Sequence, residues 1–371
     1  MSHSVYNLVE CLPPQYGGVS VHVDRLHKCL LRDGVNARLC TTSNVHSTCP
    51  NLRVCTGRYY PNYQWLVKEG LTLRTDIFHA HSSLGFALAS LAMSFRAQGI
   101  VYTFHNQMIA EVIWPTLNWL DRRAMTALFH RPNFRAIAVS PRVQEQLIQL
   151  GAPEANMRVI PAFIPPFLDE IDELSKELAT FLTAHSPVLS IYGFRYSIKD
   201  GIDLYGFDMA LVLLSHLTIN YPMAGLILVI PGVKNAPESI APLRRQAAAL
   251  QLEQHVLFVT EGAEANVRIF AESDLYVRPT TTDGDAVAVR EALFFGVPVV
   301  ASDASFRPDG TVVFRNRNQI EFECAVTDVL ADLPSYKKKL SAQKPEDNYP
   351  AIRTVYDELL DNAKRRRGKG A

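Results

Sequence analysis

The sequence predicts an α/β protein built as two parallel-sheet domains in series, and three observations predict it. Its 371 residues exceed one comfortable core and suit two domains of ordinary size. Short β-branched runs alternate with amphipathic helical stretches, and the whole scheme occurs twice along the chain. Between the two series lies Ile160-Pro161-Ala162-Phe163-Ile164-Pro165-Pro166, where three prolines favour extended backbone over helix.

In the first series strands are expected near Val5–Val9, Ala37–Thr41, Ile77–Ala80, Ile100–Phe104, Ala136–Val139 and Arg158–Ile160. Helices fit Val19–Arg32, Leu84–Ala97, Glu111–Phe129 and Pro141–Leu150 between them. Pro141 suits a first helical turn, with Ser140 as N-cap, and Leu150-Gly151 reads as its stop. The second series places strands near Val188–Tyr192, Leu226–Ile230, Val256–Val259, Leu275–Val277 and Val297–Ala301. Its helices fit Phe207–Ile219, Ala241–Leu250, Asn266–Ala271 and Ala286–Phe295. Such alternation implies parallel sheets covered on both faces with right-handed crossovers, hence two Rossmann-like domains. Ligands of open α/β sheets sit beyond the carboxyl ends of the strands, so two such domains facing each other are expected to form an interdomain cleft. The expected limits are 1–165 and 166–345. Residues 346–371 then form a C-terminal helix that can pack back on the first domain, ending in a basic tail, Lys364–Ala371, expected to be disordered.

Composition narrows the class. A hydrophobic fraction of 48% with 20% charged residues is that of a soluble globular protein. No apolar run approaches the roughly 20 residues of a membrane-spanning helix. The first residues carry no basic segment followed by an apolar stretch, so a cytoplasmic protein is expected. The six cysteines (Cys11, Cys29, Cys40, Cys49, Cys55 and Cys324) show no zinc-type spacing and are expected as free thiols. Net charge is zero, yet residues 1–165 hold 15 Lys/Arg against 9 Asp/Glu. That excess points to an anionic partner for the first half. No G-x-G-x-x-G follows a strand and no G-x-x-x-x-G-K-[ST] occurs, which disfavours a dinucleotide dehydrogenase or a P-loop protein.

The chemistry is concentrated in one segment, Asp274 to Asp303, which reads strand, acidic glycine loop, helix, glycine stop, strand. Asp283, Gly284 and Asp285 precede a helix whose first turn offers unpaired N–H groups and a positive dipole end. That is an anion site suited to a diphosphate. Glu291, about one and a half turns into the helix, is placed to hydrogen-bond ribose hydroxyls.

This segment resembles the retaining GT-B glycosyltransferases that include glycogen synthases and bacterial mannosyl-, glucosyl- and N-acetylglucosaminyltransferases. Glu291-Ala292 followed by Gly296-Val297-Pro298-Val299-Val300 is similar to the family's mark, two glutamates separated by seven residues and a Gly-x-Pro-Val-Val strand. The first acid here is Asp283 instead of Glu. The resemblance implies that the first carboxylate meets the donor sugar and the second the nucleotide ribose. Gly17-Gly18, after the first strand, resemble the amino-terminal glycine loop, where backbone N–H groups approach a phosphate without a side chain in the way. Thr103-Phe104-His105 matches the family's Thr-x-His, whose histidine contacts the donor sugar near the reacting carbon. Arg195 resembles the arginine that holds the donor diphosphate. Lys199 resembles the lysine that follows it, but an alignment placing Tyr205 there is equally natural.

His79, His81 and His105 also suggest a metal site, since alternate strand residues project on one face. No carboxylate or cysteine ligand accompanies them and the family's chemistry needs no cation, so no metal and no cofactor are expected, and His79 is expected as a buried structural histidine. The resemblance implies an acceptor-binding first domain and a donor-binding second one. The expected partners are a nucleotide-sugar and a saccharide or lipid-linked acceptor, with no nucleic acid. A peripheral membrane surface is expected from the Trp114–Arg131 stretch, with its two tryptophans and Arg122, Arg123 and Arg131. An epimerase of the same layout and a non-catalytic nucleotide-sugar binder are the rival readings.

Overall fold

A computed structural model describes residues 3–12, 17–42, 51–54, 73–81, 84–167, 174–233, 237–260, 266–283, 285–343 and 346–368. The chain forms two compact units, Met1–Ile164 with Asp347–Ala371, and Pro165–Glu346.

The first unit is built on a parallel sheet of β1 (Ser4–Val9), β2 (Asn36–Thr41), β3 (Leu52–Val54), β4 (Ile77–His81), β5 (Gly99–Phe104), β6 (Phe134–Ala138) and β7 (Met157–Val159). The strand order is β3-β2-β1-β4-β5-β6-β7, with every neighbouring pair parallel. Val5, Leu8, Ile77, Ala80, Ile100, Val101 and Tyr102 are fully or almost fully buried, as expected of strands covered on both faces. The Gly18–Arg32 and Pro141–Gln149 helices pack on the sheet, the second with the Ser140 side chain accepting from the Val143 N–H.

The second unit carries β8 (Val188–Tyr192), β11 (Gly225–Val229), β12 (Val256–Val259), β13 (Leu275–Arg278), β14 (Val299–Ser302) and β15 (Thr311–Phe314). Their order is β12-β11-β8-β13-β14-β15, again all parallel. Both units are therefore Rossmann-like. The order reverses between β1 and β4 in the first sheet and between β8 and β13 in the second. A crevice opens at the carboxyl ends of the strands at each such switch point.

Three local expectations are corrected. The single helix expected over Glu111–Phe129 is interrupted. A wide turn at Ile109–Ile113 and one short turn at Trp114–Thr116 lead to an extended Leu117, φ −69° and ψ 144°. A new helix, Trp119–Phe129, then starts under the Asn118 side chain, which accepts from the Asp121 N–H at 2.9 Å. An Asn at this position caps a helix start better than it continues a helix. The helix expected over Leu84–Ala97 is a 3-10 turn, Leu84–Phe86, followed by Ala87–Met93. The basic tail is helical as far as Gly368, Lys364 pairing with Asp361 at 2.9 Å and Arg366 donating to the Pro132 carbonyl at 3.0 Å. Cations at a helix carboxyl end are favoured by its dipole.

That last helix, Tyr349–Gly368, belongs to the first unit. Ile352, Val355, Tyr356 and Leu359 are buried on it, and Leu359 lies so close to Gly99 that a methyl there would meet it at 2.8 Å. Of the described residues, Trp114 and Trp119 lie in this unit, and their fluorescence follows its unfolding. Leu359→Ala should destabilise it by about 2–5 kcal/mol, read as a lower denaturant midpoint of tryptophan emission; an unchanged midpoint would show that the helix is not part of this core.

Candidate active site

At the first switch point the chain concentrates imidazoles. His79 and His81 are alternate residues of β4, and His81 is the register partner of Thr103 on β5, so His105 follows two residues beyond it. His22 joins them from the Gly18–Arg32 helix, its ring centroid 5.0 Å from that of His105 and 5.5 Å from that of His81. His79 is fully committed, one ring nitrogen 2.6 Å from the Tyr356 hydroxyl and the other 2.7 Å from Thr103 Oγ1. His22 Nδ1 lies 2.6 Å from the Ala162 carbonyl. Burial disfavours the charged form of an imidazole. It pushes His22 down to about 4. His79, His81 and His105 are also held well below the usual histidine range, first by burial and then by the neighbouring rings. The cluster is neutral at physiological pH.

The same helix begins at Gly17, whose extended backbone serves as N-cap with its N–H bonded to Ser20 Oγ at 2.9 Å. Gly18 is the first helical residue, and no acidic side chain occupies the first turn. A methyl at Gly17 would meet no atom of the described residues within 4 Å. Pro13 to Tyr16 of the proposed loop lie outside the described residues.

The second switch point is built from charge. Asp283 binds Arg278 through both oxygens, at 2.9 and 3.0 Å, and Arg307 at 3.0 Å, all three side chains less than a tenth exposed. Burial alone would raise the Asp283 carboxyl; the two guanidiniums hold it below the usual carboxylate range. Arg278 also donates to the Tyr192 carbonyl at the end of β8 and lies 5.4 Å from the Tyr205 ring. Tyr205 is positioned by Gly206, φ +74°, where a Cβ would strike the Pro279 carbonyl oxygen at 2.3 Å. Only glycine allows that approach, which is tied further by Thr281 N–H donating to the Leu204 carbonyl at 2.9 Å. Asp285 pairs with Arg290 at 2.7 Å, each side chain 4% exposed. Glu291, buried, lies in the Val287–Phe294 helix.

The solved structures that resemble this chain share its fold. HepE of Anabaena, in complex with UDP-glucose, aligns with a TM-score of 0.71 at 18% identity, covering 98% of this chain and 100% of that one. A glycosyltransferase from Rickettsia africae ESF-5 gives 0.73 at 14% identity over 97% and 99%. WaaG, a glycosyltransferase involved in lipopolysaccharide biosynthesis, gives 0.67 at 13% over 97% and 99%. No curated protein sequence matches the chain. The family model of Glycosyltransferase Family 4 matches residues 16–166, and that of Glycosyl transferases group 1 matches residues 204–339, which contain the whole acidic segment. The chain is a glycosyltransferase.

Within the transferase, Arg195 is exposed on the loop that follows β8, with no ion pair among the described residues. Lys199 is exposed on a small hairpin, β9 (Ile198–Lys199) and β10 (Ile202–Asp203), turned at Asp200 and Gly201 with φ +52° and +77°. Tyr205 thus stands beside Arg278, while Lys199 is exposed on the hairpin. Gly284 lies outside the described residues. Asp285, expected as a donor contact, is buried and binds Arg290 through one carboxylate oxygen. Arg278, Arg307 and His22 were not singled out from the sequence. Arg278 had a signal, a lone charge ending the buried run Leu275-Tyr276-Val277; His22 had none beyond its nearness to Gly17.

Asp283 is therefore an anchor as well as a candidate sugar contact. Asp283→Asn should lower the stability of the second unit by about 3–5 kcal/mol, the cost of breaking a buried pair, measured by calorimetry. A wild-type melt with donor binding lost would assign the carboxylate to the ligand alone.

Proposed function

We propose that the transferase moves a sugar, with retention and without a metal, from a nucleotide-sugar donor to a saccharide or lipid-linked acceptor. The observation that carries this reading is the group 1 match over residues 204–339, which encloses the Asp283 loop and the buried Glu291 at one switch point. A nucleotide-sugar is also what HepE of Anabaena holds. In this reading Glu291 accepts from the ribose hydroxyls, while Arg195, Lys199 and the backbone of the Gly284–Asp285 loop meet the diphosphate. In the first unit the Gly17-Gly18 helix start adds N–H groups toward the phosphate, and His105 meets the donor sugar. Asp283 serves the sugar from within its arginine pair.

The proposed step breaks the bond between the anomeric carbon and the donor phosphate oxygen. Positive charge grows on the sugar ring as the phosphate departs, and guanidinium and N–H donors stabilise the leaving diphosphate. The acceptor hydroxyl attacks on the face the phosphate leaves, and its proton passes to the departing phosphate oxygen. No side-chain base is needed. The neutral His105 ring suits this chemistry, since a neutral imidazole accepts or donates a hydrogen bond without repelling an oxocarbenium-like centre.

We further propose that the protein works in the cytoplasm against a membrane surface, in synthesis of a surface polysaccharide or glycoconjugate. No helix among the described residues is long and apolar enough to cross a membrane. Trp119 is 65% exposed and Leu120 45% at the start of the Trp119–Phe129 helix, with Arg123 over the tryptophan ring at 5.8 Å. Phe95, 70% exposed, lies under Arg131 at 4.2 Å. Exposed aromatics beside arginines have the composition of an interfacial patch, and WaaG acts in lipopolysaccharide biosynthesis.

Three outcomes are expected. Incubation with a nucleotide-sugar panel in EDTA should give transfer with the donor's anomeric configuration kept, as read by proton NMR of the product; inversion, or turnover lost in EDTA and restored by one metal, would overturn the mechanism. Glu291→Ala should weaken donor binding by about 1.5–3 kcal/mol in calorimetry, and unchanged affinity would remove the ribose assignment. Trp119→Ala should release the protein from anionic liposomes at low salt; absence of wild-type binding would leave no membrane role.

A further inference from the structure

The histidine cluster of the first unit holds more lone pairs than its hydrogen bonds use. His22 Nε2, both nitrogens of His81 and His105 Nε2 are buried without a hydrogen-bond partner among the described residues. Buried polar atoms are paired in the great majority of cases, and several orphans converging on one point mark a missing ligand. One ligating nitrogen each from His22, His81 and His105 lies within 4.8 Å of the others. His79 is outside the set, because Tyr356 and Thr103 take both of its nitrogens.

We propose that His22, His81 and His105 form a binding site for a divalent cation of the zinc class. The three come from separate elements, the Gly18–Arg32 helix, the last residue of β4 and the residue following β5, so the site exists only in the folded first unit. His22 Nδ1 faces the Ala162 carbonyl at 2.6 Å. As a donor there it leaves Nε2 as a lone pair, the arrangement that fixes the tautomer of a metal-ligating histidine. The rings are kept neutral by burial, so binding displaces no proton from them. Three imidazoles without a carboxylate suit Zn²⁺, Co²⁺ or Ni²⁺ and not Mg²⁺ or Ca²⁺, which demand oxygen. Tetrahedral ligands at about 2.0–2.1 Å stand about 3.4 Å apart, so the rings draw in by about an ångström. The fourth position is left for water.

A cation held there takes the imidazole that the proposed function gives to the donor sugar. This consequence rests on that reading: zinc then inhibits transfer, and a chelator relieves the inhibition.

The test uses the full chain without donor. Calorimetry with Zn²⁺ should find one site, and Co²⁺ should give the visible absorption of a tetrahedral centre. His22→Gln and His81→Asn should each weaken binding by roughly a hundredfold or more, beyond the range for disturbing an outer-shell partner, whereas His216→Ala, at an exposed ring, should not. On wild-type protein, imidazole nitrogen NMR should show three rings shifting with zinc and His79 unmoved, a readout that survives misfolding of either variant. Millimolar or weaker binding, an octahedral cobalt spectrum, or affinity indifferent to both substitutions would overturn the site, whether or not sugar is transferred. Zinc binding at these three rings in a protein that turns over no nucleotide-sugar would uphold the site and sink the transfer reading instead. Undiminished transfer with the site filled would overturn the inhibition alone.

Discussion

Everything in this chain follows from burying parallel strands on both faces. A strand such as β5 or β13, with helices above and below, has no wet face on which to carry a polar side chain. Polar chemistry is pushed to the strand ends or must be neutralised in place. Both solutions are visible. His81 and His105 stand at the carboxyl ends of their strands and are neutral, while Arg278, the last residue of β13, is buried and charged and is paired with Asp283, which also takes Arg307. Loss of Asp283 leaves two buried guanidiniums without their carboxylate, which couples the stability of the second unit to the geometry of its site.

The two units solve the same topological problem with different chemistry. Switch points of the two sheets fall between β1 and β4 and between β8 and β13, and each receives the side chains that carry the functional reading. The first offers uncharged imidazoles and a helix start; the second offers guanidiniums, a buried carboxylate and a tight loop. The loop around Gly206 shows how finely the second is set. The Leu204 carbonyl takes the Thr281 N–H while Gly206 touches Pro279, so Tyr205 is held against Arg278.

Much of this was legible in the sequence, because period and punctuation speak about backbone. Val188–Tyr192 and Val256–Val259 occur at the residues read for them, and Ser140 caps its helix. Short elements were not legible: β15 (Thr311–Phe314) has four residues and each strand of the β9–β10 hairpin two, too few for a period to show. The Glu111–Phe129 stretch misled because its apolar spacing continues across Asn118, where a side-chain cap outweighs propensity. In the candidate site, Asp283, Glu291 and His105 are picked out by a motif. Partners such as Arg307 and His22 were not, since a residue that acts across the fold leaves no local pattern. Cys11 and Cys324 are free thiols, in line with their spacing.

The central claim is that ligand is met at the carboxyl ends of the strands, at the two switch points. Amide hydrogen exchange with and without a bound nucleotide-sugar tests it most directly. Slowed exchange is expected at residues 17–22, 103–107, 193–196 and 279–292. Slowing confined instead to the opposite, amino-terminal edge of the first sheet, around the cavity lined by Ser4, Asp76 and Gln98, would contradict it.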